Sequence, residues 1–475
     1  MPKIQITEQD LTRTGNSSVS TDVVYIPGFV NTACDNLKDK TGKYIGIAYN
    51  KPTLFTSVLE FEALCGTSPA CFMKDEEYPK AQEGRQTKDF AAAAVDTTSN
   101  KPVMFKKGTY DPSYIMAKEL LAAGLNVLYE RVNKQAESDQ GESTETLVAP
   151  NIDVDTMYTF LSAAFKTNSN DEYKYGLASQ GEYEFKYLTT GGYPVFEYDN
   201  NSIVTAMLNL AKQRGDCVAI IDHTDNILRD TNVNHSESVY GTVKSSTIFD
   251  DDGEFGAMFT PWCTYNRITS DQIDNTTRKS DPIRLPASFA YLKALADSIK
   301  TNANWLAIAG VTRGLVSDLS ENGVTTNIPN GAADYMQPRQ GIAVNAITNI
   351  NPYGYTIWGN RTLKKNVENL TATSFLNIRN LISDVKKQTY KVAKRLTFEQ
   401  NNEVLWVNFK AGISPLLDRM LTGYGISNYK IVRDLTHEKA NETATVCAKI
   451  ILYPVYAVED FYITVVMTDD EVEVQ

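Results

Sequence analysis

The side chains best suited to acid–base chemistry stand together after an apolar run in the middle of the chain. Residues Cys217 to Asp222 are typical of a fully buried strand, and His223 and Asp225 follow closely. Active sites of α/β proteins commonly lie at the end of such a strand. No nucleophile motif accompanies these residues, so we interpret them as loop residues rather than as a catalytic site.

Motifs for metal ions and nucleotides are also incomplete. Residues 250–253 (Asp-Asp-Asp-Gly) lack the alternating oxygen ligands of a calcium-binding loop, and residues 41–44 lack the upstream glycine and the hydroxyl residue of a phosphate-binding loop. The three histidines and six cysteines are scattered, with no metal-ligand spacing. We therefore expect no enzyme activity, no cofactor and no metal, with free thiols buried in a reducing compartment.

The composition indicates an acidic globular chain. It has 475 residues, of which 42% are hydrophobic and 22% charged, enough for about two to four ordinary domains. Its net charge of -12 repels phosphates, so we expect no nucleic-acid partner. Neither a signal-peptide pattern nor an apolar run of about 18 residues is present, so we expect no membrane insertion.

Apolar spacing and capping residues predict alternating strands and helices. Strands are expected over Val23–Gly28, Tyr44–Ala48, Asn126–Val132 and Cys217–Asp222, and helices over Val58–Leu64, Ser113–Ala123, Ser202–Arg214 and Ala287–Thr301. The C-terminal part should contain long helices at Ser374–Leu396 and Glu403–Leu421, then strands at Tyr429–Arg433, Ala444–Val458 and Phe461–Thr468. The polar stretch 70–108 indicates an insertion or a long loop, and 133–150 a flexible linker.

Short motifs are spread in order over most of the chain. Early ones are Lys51-Pro52-Thr53-Leu54 through Gly66, Gly124–Val132, Gly215–Asp222, Pro261-Trp262 and Leu285–Ser288. The most specific are Gly341–Asn345, Gly354–Leu363 (Gly-Tyr-Thr-Ile-Trp-Gly-Asn-Arg-Thr-Leu), Phe398-Glu399, Trp406 and Gly423-Tyr424. In this order they resemble the motifs of phage tail sheath proteins, with Gly354, Trp358, Gly359, Arg361 and Trp406 as the core motif. Residues 70–108 and 133–190 show no such resemblance.

The resemblance implies a multidomain α+β fold, with a C-terminal sheath domain completed by the N-terminal segment and α/β outer domains inserted between them. The expected division is 1–30 as an N-terminal arm and part of the core domain, 31–132 as an outer α/β domain with the insertion 70–108, 133–200 as a linker and variable insertion, 201–339 as a second α/β outer region, 340–458 as the C-terminal core domain and 459–475 as a C-terminal arm.

The resemblance also implies a function. Sheath subunits polymerise as a helical tube around an inner tail tube and contract to drive it through the envelope of a target cell. Expected partners are further copies of the chain, the inner tube protein, the baseplate and the tail terminator, in a virion tail assembled in the host cytoplasm. A different virion component, such as a baseplate or adhesin module, and an α/β hydrolase remain as alternatives.

The two chain ends suit strand exchange between subunits. Alternation places Ile4 and Ile6 on one side of an N-terminal strand, and an acidic tail follows a similar run near the C-terminus. The apolar face of that second run consists of Phe461, Ile463, Val465 and Met467. Such strands can enter a neighbour's sheet, and repeated head to tail they build an open helix. A frayed N-terminus and an ordinary last strand remain as alternatives.

The predicted helix at 374–396 is basic within an acidic chain. Because the resemblance implies that a helix of this domain faces the inner tube, we expect its cations to contact that tube. The expected contact residues are Arg379, Lys386, Lys387, Lys391 and Lys394. A solvated basic face is the alternative.

Overall fold

The computed structural model describes residues 22–28, 46–48, 50–66, 111–132, 161–165, 176–193, 195–196, 201–223, 235–265, 283–434 and 445–459. The predicted strands that contain Ile4, Ile6 and Phe461–Thr468 lie outside these residues, as do the stretches 70–108 and 133–150. The strand predicted at 44–48 is not formed over its described residues 46–48. Instead, the Ile47 amide donates to the carbonyl of Leu64, 3.2 Å away.

The strands belong to one large sheet and two small ones. In chain order they are β1 (Val23–Gly28), β2 (Thr53–Phe55), β3 (Asn126–Arg131), β4 (Tyr187–Leu188), β5 (Val218–Asp222), β6 (Gly256–Thr260), β7 (Cys263–Tyr265), β8 (Ile283–Leu285), β9 (Leu319–Val324), β10 (Asn345–Ile350), β11 (Gly354–Trp358), β12 (Ile426–Arg433) and β13 (Ala448–Pro454). The large sheet has the order β11-β10-β6-β5-β4-β1-β3-β2, and the small ones are β8-β7-β9 and β12-β13.

The large sheet is parallel except at its two edges, where β2 and β11 run antiparallel to their neighbours. Its strands come from five of the six predicted segments, namely 1–30, 31–132, 133–200, 201–339 and 340–458. These segments therefore share one sheet in the structure. The N-terminal strand β1 lies inside this sheet, between β3 and β4, and the sheet ends with β11 inside the segment expected to form the C-terminal core domain.

The helices cover both faces of the large sheet and build a separate C-terminal unit. In chain order they are α1 (Val58–Cys65), α2 (Pro112–Ala123), α3 (Ser202–Arg214), α4 (His235–Ser245), α5 (Phe249–Asp252), α6 (Ala287–Ile299), α7 (Gly310–Arg313), α8 (Asn330–Tyr335), α9 (Leu376–Leu396) and α10 (Glu403–Thr422), with short 3-10 turns at Gly176–Ala178, Gly253–Phe255 and Ala372–Ser374.

Alternation along the strands gives the sheet two apolar faces. Tyr25 and Ile221 point to the side covered by α3, whereas Val24, Ile26 and Ile220 point to the side covered by α2 and α6. Strands covered on both sides must be apolar throughout, which explains the continuous runs in β1 and β5.

Local capping chemistry fixes the ends of α2. Asp111 precedes the helix and its carboxylate accepts from the Ser113 amide at 3.0 Å, while Pro112 opens the first turn. Gly124 ends the helix with φ +102°, a left-handed conformation that favours glycine. The helix is therefore encoded by its own sequence as well as by the sheet.

The C-terminal unit packs α9 and α10 against the two-stranded sheet β12–β13. Its core contains Leu381, Val385, Ile413, Leu417 and Met420, together with Trp305 and Ile426. Apolar residues at helical spacing on both helices meet in this core. The combination of a layered sheet region with a helical C-terminal unit confirms the expected multidomain α+β fold.

Candidate assembly site

The small sheet β12–β13 consists of two edge strands in the described part of the chain. No other described strand pairs with the outer edge of either one. One face packs on the helices, while the opposite face leaves Val432, Ile451 and Tyr453 between 41% and 45% exposed. A two-stranded sheet is only marginally stable alone, and its free N–H and C=O groups are a template for another chain. This sheet can therefore accept a strand.

The segment that follows β13 runs to a buried arginine of the core motif. Arg361, 2% exposed, donates from Nε to Glu459 Oε1 at 2.9 Å and from Nη2 to Glu459 Oε2. Its guanidinium also lies over the ring of Phe375, 4.7 Å from the centroid. The same ring meets Tyr456 edge-on at 5.3 Å. The start of the predicted C-terminal arm is thus bound to the junction between β11 and α9.

Asn345 holds the backbone of this arginine in place. Its amide oxygen accepts from the Arg361 N–H at 2.8 Å, and its Nδ2 donates to the carbonyls of Arg361 and Met258 at 2.8 and 3.1 Å. A Cβ on Gly359 would lie 2.7 Å from Asn345 Oδ1 and 2.6 Å from Gln337 Nε2. Glycine at 359 is therefore required by close packing, and it belongs to the same junction as Arg361.

The other core-motif residues lie in different parts of the structure. Gly354 begins β11 with φ +99°. Trp358 is half-buried, packs against the core under the large sheet and donates from Nε1 to Asp334 Oδ1 at 2.9 Å. Trp406 is buried in α10, where it stacks on Phe409 with ring centroids 5.6 Å apart.

The structure corrects the expectation of a single basic face on α9. Arg379 and Lys387 are each 3% exposed and are used inside the subunit. Arg379 lies over the ring of Phe255 at 3.8 Å, and burial lowers its pKa. Lys387 donates to the carbonyl of Phe185. These two cations dock α9 on the chain's own sheet region.

The remaining three predicted contact residues do reach the surface. Lys386 and Lys394 are exposed, and Lys391 is 42% exposed while paired with Glu184 at 2.6 Å. Partial desolvation of its ammonium group, followed by the nearby charge of Arg379, lowers the pKa of Lys386. Only these three of the five predicted residues can present charge to another molecule.

The residues that first suggested catalysis have structural partners. Asp222 accepts from the Ser288 amide at 2.9 Å and from the Ser288 hydroxyl at 2.6 Å, which caps the start of α6. His223 lies 3.1 Å from Thr242 Oγ1 through Nε2, and its carbonyl accepts from Trp262 Nε1 at 3.0 Å. Residues 250–253 form the short helix α5 and the turn that follows. Asp225 lies outside the described residues.

Sequence reasoning missed two residues that position the site. Glu459 carries no signal, because its importance comes from its contact with Arg361. Asn345 belongs to the recognised motif Gly341–Asn345, but its contact with Arg361 is visible only in the structure. Trp305 lay outside every recognised motif, yet it donates from Nε1 to the Gly423 carbonyl at 3.0 Å. Gly423 and Gly425, the two glycines of the turn 423–425 (Gly-Tyr-Gly), lie against the Trp305 ring. Two glycines so close together leave room for a bulky side chain, so the sequence of this turn did contain a signal for an aromatic neighbour.

The described residues contain neither a membrane-spanning helix nor a metal-binding cluster. None of the described helices combines the length and the apolar character that crossing a membrane requires. Within the same residues, no three or more histidine, cysteine, aspartate or glutamate side chains are arranged to hold a metal ion.

The fold is similar to that of chains from the sheath and the baseplate of two contractile assemblies. A chain of an extracellular contractile injection system, the PVC sheath complex in the contracted state, aligns over 99% of this chain and 98% of its own, with a TM-score of 0.54 and 15% identity. A chain from the anti-feeding prophage baseplate in the contracted state aligns over 99% and 98%, with a TM-score of 0.57 and 17% identity.

The sequence comparisons show a similarity to phage tail sheath proteins. Residues 370–468 match the phage tail sheath C-terminal domain. The tail sheath protein of Vibrio phage KVP40 is 24% identical over 166 residues, which span 35% of this chain and 23% of that relative. The C-terminal part of this chain is similar to the phage tail sheath C-terminal domain, and the resemblance indicated by the motifs is confirmed.

Proposed function

We propose that this chain is the structural subunit of a contractile tail sheath and not an enzyme. Subunits would polymerise as a helical tube around an inner tail tube, and contraction of the sheath would drive that tube through a target cell envelope. The open two-stranded sheet β12–β13, set in a sheath-family domain, is the observation that carries this proposal.

Strand exchange follows from two properties of the chain. Within the described part of the chain no third strand pairs with the sheet β12–β13, and apolar residues recur at every second position from Phe461 to Met467. A strand from one subunit that pairs with an edge in the next makes a heterologous contact, which repeats into an open helix. The proposed donor residues are Phe461, Ile463, Val465 and Met467 at one end and Ile4 and Ile6 at the other.

The proposed partners follow from this role. They are further copies of the chain, the inner tube protein, the baseplate and the tail terminator, in a tail assembled in the host cytoplasm. For the inner tube, the exposed lysines Lys386, Lys391 and Lys394 supply the contact charge. Exposed ion pairs each contribute up to about 1 kcal/mol, so a contact built from them can release during contraction.

Negative-stain electron microscopy of the purified chain tests the proposal. The full chain should form long tubes, and deletion of residues 460–475 should leave folded subunits that form none. Deletion of only the acidic tail 469–475 is the matched control and should spare the tubes. Tubes formed without residues 460–475 would contradict strand donation by this arm, and discs without tubes would instead indicate a baseplate component.

A sharper version changes one residue of the donor strand. Ile463 lies on the apolar face of the alternation and Thr464 on the opposite face. Ile463→Asp should prevent tube formation because it puts a charge where the acceptor is apolar. Thr464→Asp should leave tubes intact. Equal effects of the two substitutions would show that the alternation does not define the bound face.

A further inference from the structure

The segment 455–459 connects the small sheet to the predicted C-terminal arm without regular secondary structure. Val455, Tyr456 and Val458 are 40%, 50% and 68% exposed, so little apolar burial holds the segment. Its two ends are nevertheless fixed. The Val455 amide donates to the carbonyl of Gly425 at 3.1 Å, and Glu459 is bound by Arg361.

The contact at the far end has the features of a strong ion pair. The guanidinium of Arg361 is bidentate to Glu459, which adds directional specificity to charge. The arginine side chain is 3% exposed and the glutamate 31%, so solvent screens the pair less than a surface pair. Nη1 of Arg361 is buried without a hydrogen-bond partner among the described residues, so Glu459 is the carboxylate on which its burial depends.

We propose that Arg361 and Glu459 form a clamp that fixes where the C-terminal arm leaves the subunit and in which direction. The proposal rests on the strand exchange proposed above, and it assigns Arg361 as a positioning residue for that exchange. The clamp makes the junction of β11 and α9 the base of the arm. The arm therefore leaves the subunit from this junction and not from the small sheet β12–β13, where the segment 455–459 begins.

The position of the clamp determines the reach of the arm. With Glu459 bound, the free arm begins at residue 460. With Glu459 released, residues 456–459 would join it and add roughly 13 Å to its extended length. A longer and freer tether lowers the effective concentration of the strand at a neighbour's sheet and loosens the geometry between subunits. A clamped arm therefore favours a polymer with one repeating geometry.

Hydrogen exchange of the full-length soluble subunit tests the clamp directly. In Glu459→Ala, the amide of Val455, which donates to the carbonyl of Gly425, should exchange about tenfold faster than in the wild-type chain, because the far end of its segment is no longer held by a charged hydrogen-bonded contact. Arg361→Lys keeps the charge but loses the two-pronged geometry, and should give an intermediate increase. Glu403→Ala removes a carboxylate from an exposed arginine pair at 3.6 Å and should leave the segment unchanged. Equal exchange in Glu459→Ala and wild type would overturn the clamp.

Assembly provides the second measurement. Glu459→Ala should still form tubes, because the donor strand is intact, but their helical order should be visibly poorer in averaged electron micrographs. Tubes with wild-type order would overturn the role of the clamp in assembly. Tube formation by the 460–475 deletion would refute strand donation instead, and the exchange rates would still decide whether Arg361 holds Glu459.

Discussion

Asp22 and Asp384, from opposite ends of the chain, bind one ammonium group. Nζ of Lys186 lies 2.9 Å from an oxygen of each carboxylate. All three side chains are almost fully buried, and the amide of Asn304 donates to both carboxylates. Desolvation alone would lower the pKa of Lys186, but the two carboxylates outweigh it and raise the pKa above its ordinary value. The Lys186 ammonium therefore stays charged, and it links Asp22, directly before β1, to Asp384 in α9.

Removal of this ammonium should be strongly destabilising. In Lys186→Met, two buried carboxylates would face each other without a cation, and the loss should be about 3–5 kcal/mol in the free energy of unfolding. Denaturant unfolding of the soluble subunit measures it. Lys391→Met, at the exposed pair with Glu184, is the control and should change stability by less than about 1 kcal/mol. Similar losses in the two variants would contradict the importance of the buried cluster.

The turn after α10 gives a prediction about packing. A Cβ on Gly425 would lie 2.6 Å from Cδ1 of Trp305, so Gly425→Ala must displace a buried ring. The expected loss is about 1–3 kcal/mol. Gly331→Ala meets no atom within 4 Å and replaces a helical glycine, so this control should be neutral or slightly stabilising. Thermal unfolding compares the two variants, and an unchanged melting temperature in Gly425→Ala would contradict the tight contact.

The cap of α6 predicts a dependence on pH. Burial raises the pKa of Asp222 to about 7. Because the folded chain favours the protonated carboxyl, this group stabilises the fold most below its unfolded pKa, and the stabilisation is lost as the pH rises through about 7. Relative to Asp222→Asn, which does not titrate, the wild-type chain should lose roughly 2–3 kcal/mol between pH 5 and pH 8.

Unfolding free energies at the two pH values measure this difference. Asp297→Asn changes an exposed ion pair on the same helix and serves as the control, since it should follow the wild-type chain at both values. If the difference in unfolding free energy between the wild-type chain and Asp222→Asn is the same at both pH values, Asp222 does not titrate in this range.

The exposed lysines of α9 predict a charge effect on assembly. Reversal of Lys386, Lys391 and Lys394 to Glu should spare folding and tube formation by the sheath alone, since exposed charges contribute little to stability. Assembly of an extended sheath around an acidic inner tube should suffer. High salt should weaken the wild-type attachment in the same direction, as the Debye length falls to about 3 Å at 1 M.

The matched control reverses three exposed lysines outside α9 and the small sheet, Lys244, Lys300 and Lys365. Electron microscopy of assembled tails compares the two triple variants. Normal extended tails with reversed α9 lysines, at any salt concentration, would remove the tube-contact role from this helix.

Local signals in the sequence were sufficient for most of the helices. The helix predicted at Ser202–Arg214 has those bounds in the structure, and Gly215 ends it with φ +70°. The helices predicted from Ser113 and from Glu403 begin and end within one residue of α2 and α10. Caps and apolar spacing act over a few residues, so a single sequence contains them.

Contacts between residues far apart in the chain could not be predicted from the sequence alone. Strand β4 has only two residues, too few for a pattern, yet it lies between β1 and β5 in the large sheet. Lys387 and Lys394 have the same residue type on the same helix, but only the first is buried. Which lysine faces the subunit depends on where Phe185 and Asp216 lie, and those residues are far away in the chain.

The place of β1 in the sheet imposes an order on folding during synthesis. Both of its neighbours, β3 and β4, are translated after it, and the ion pairs of Asp22 need Lys186 and Asp384. The nascent chain must therefore keep an apolar N-terminal segment unpaired while much of the sequence is still being made, and pairing over such distances is slow. The sheet β12–β13 is made of the last described residues to leave the ribosome. If subunits exchange strands as proposed, an unfinished subunit has no acceptor for a neighbour's strand, which would protect it from premature polymerisation.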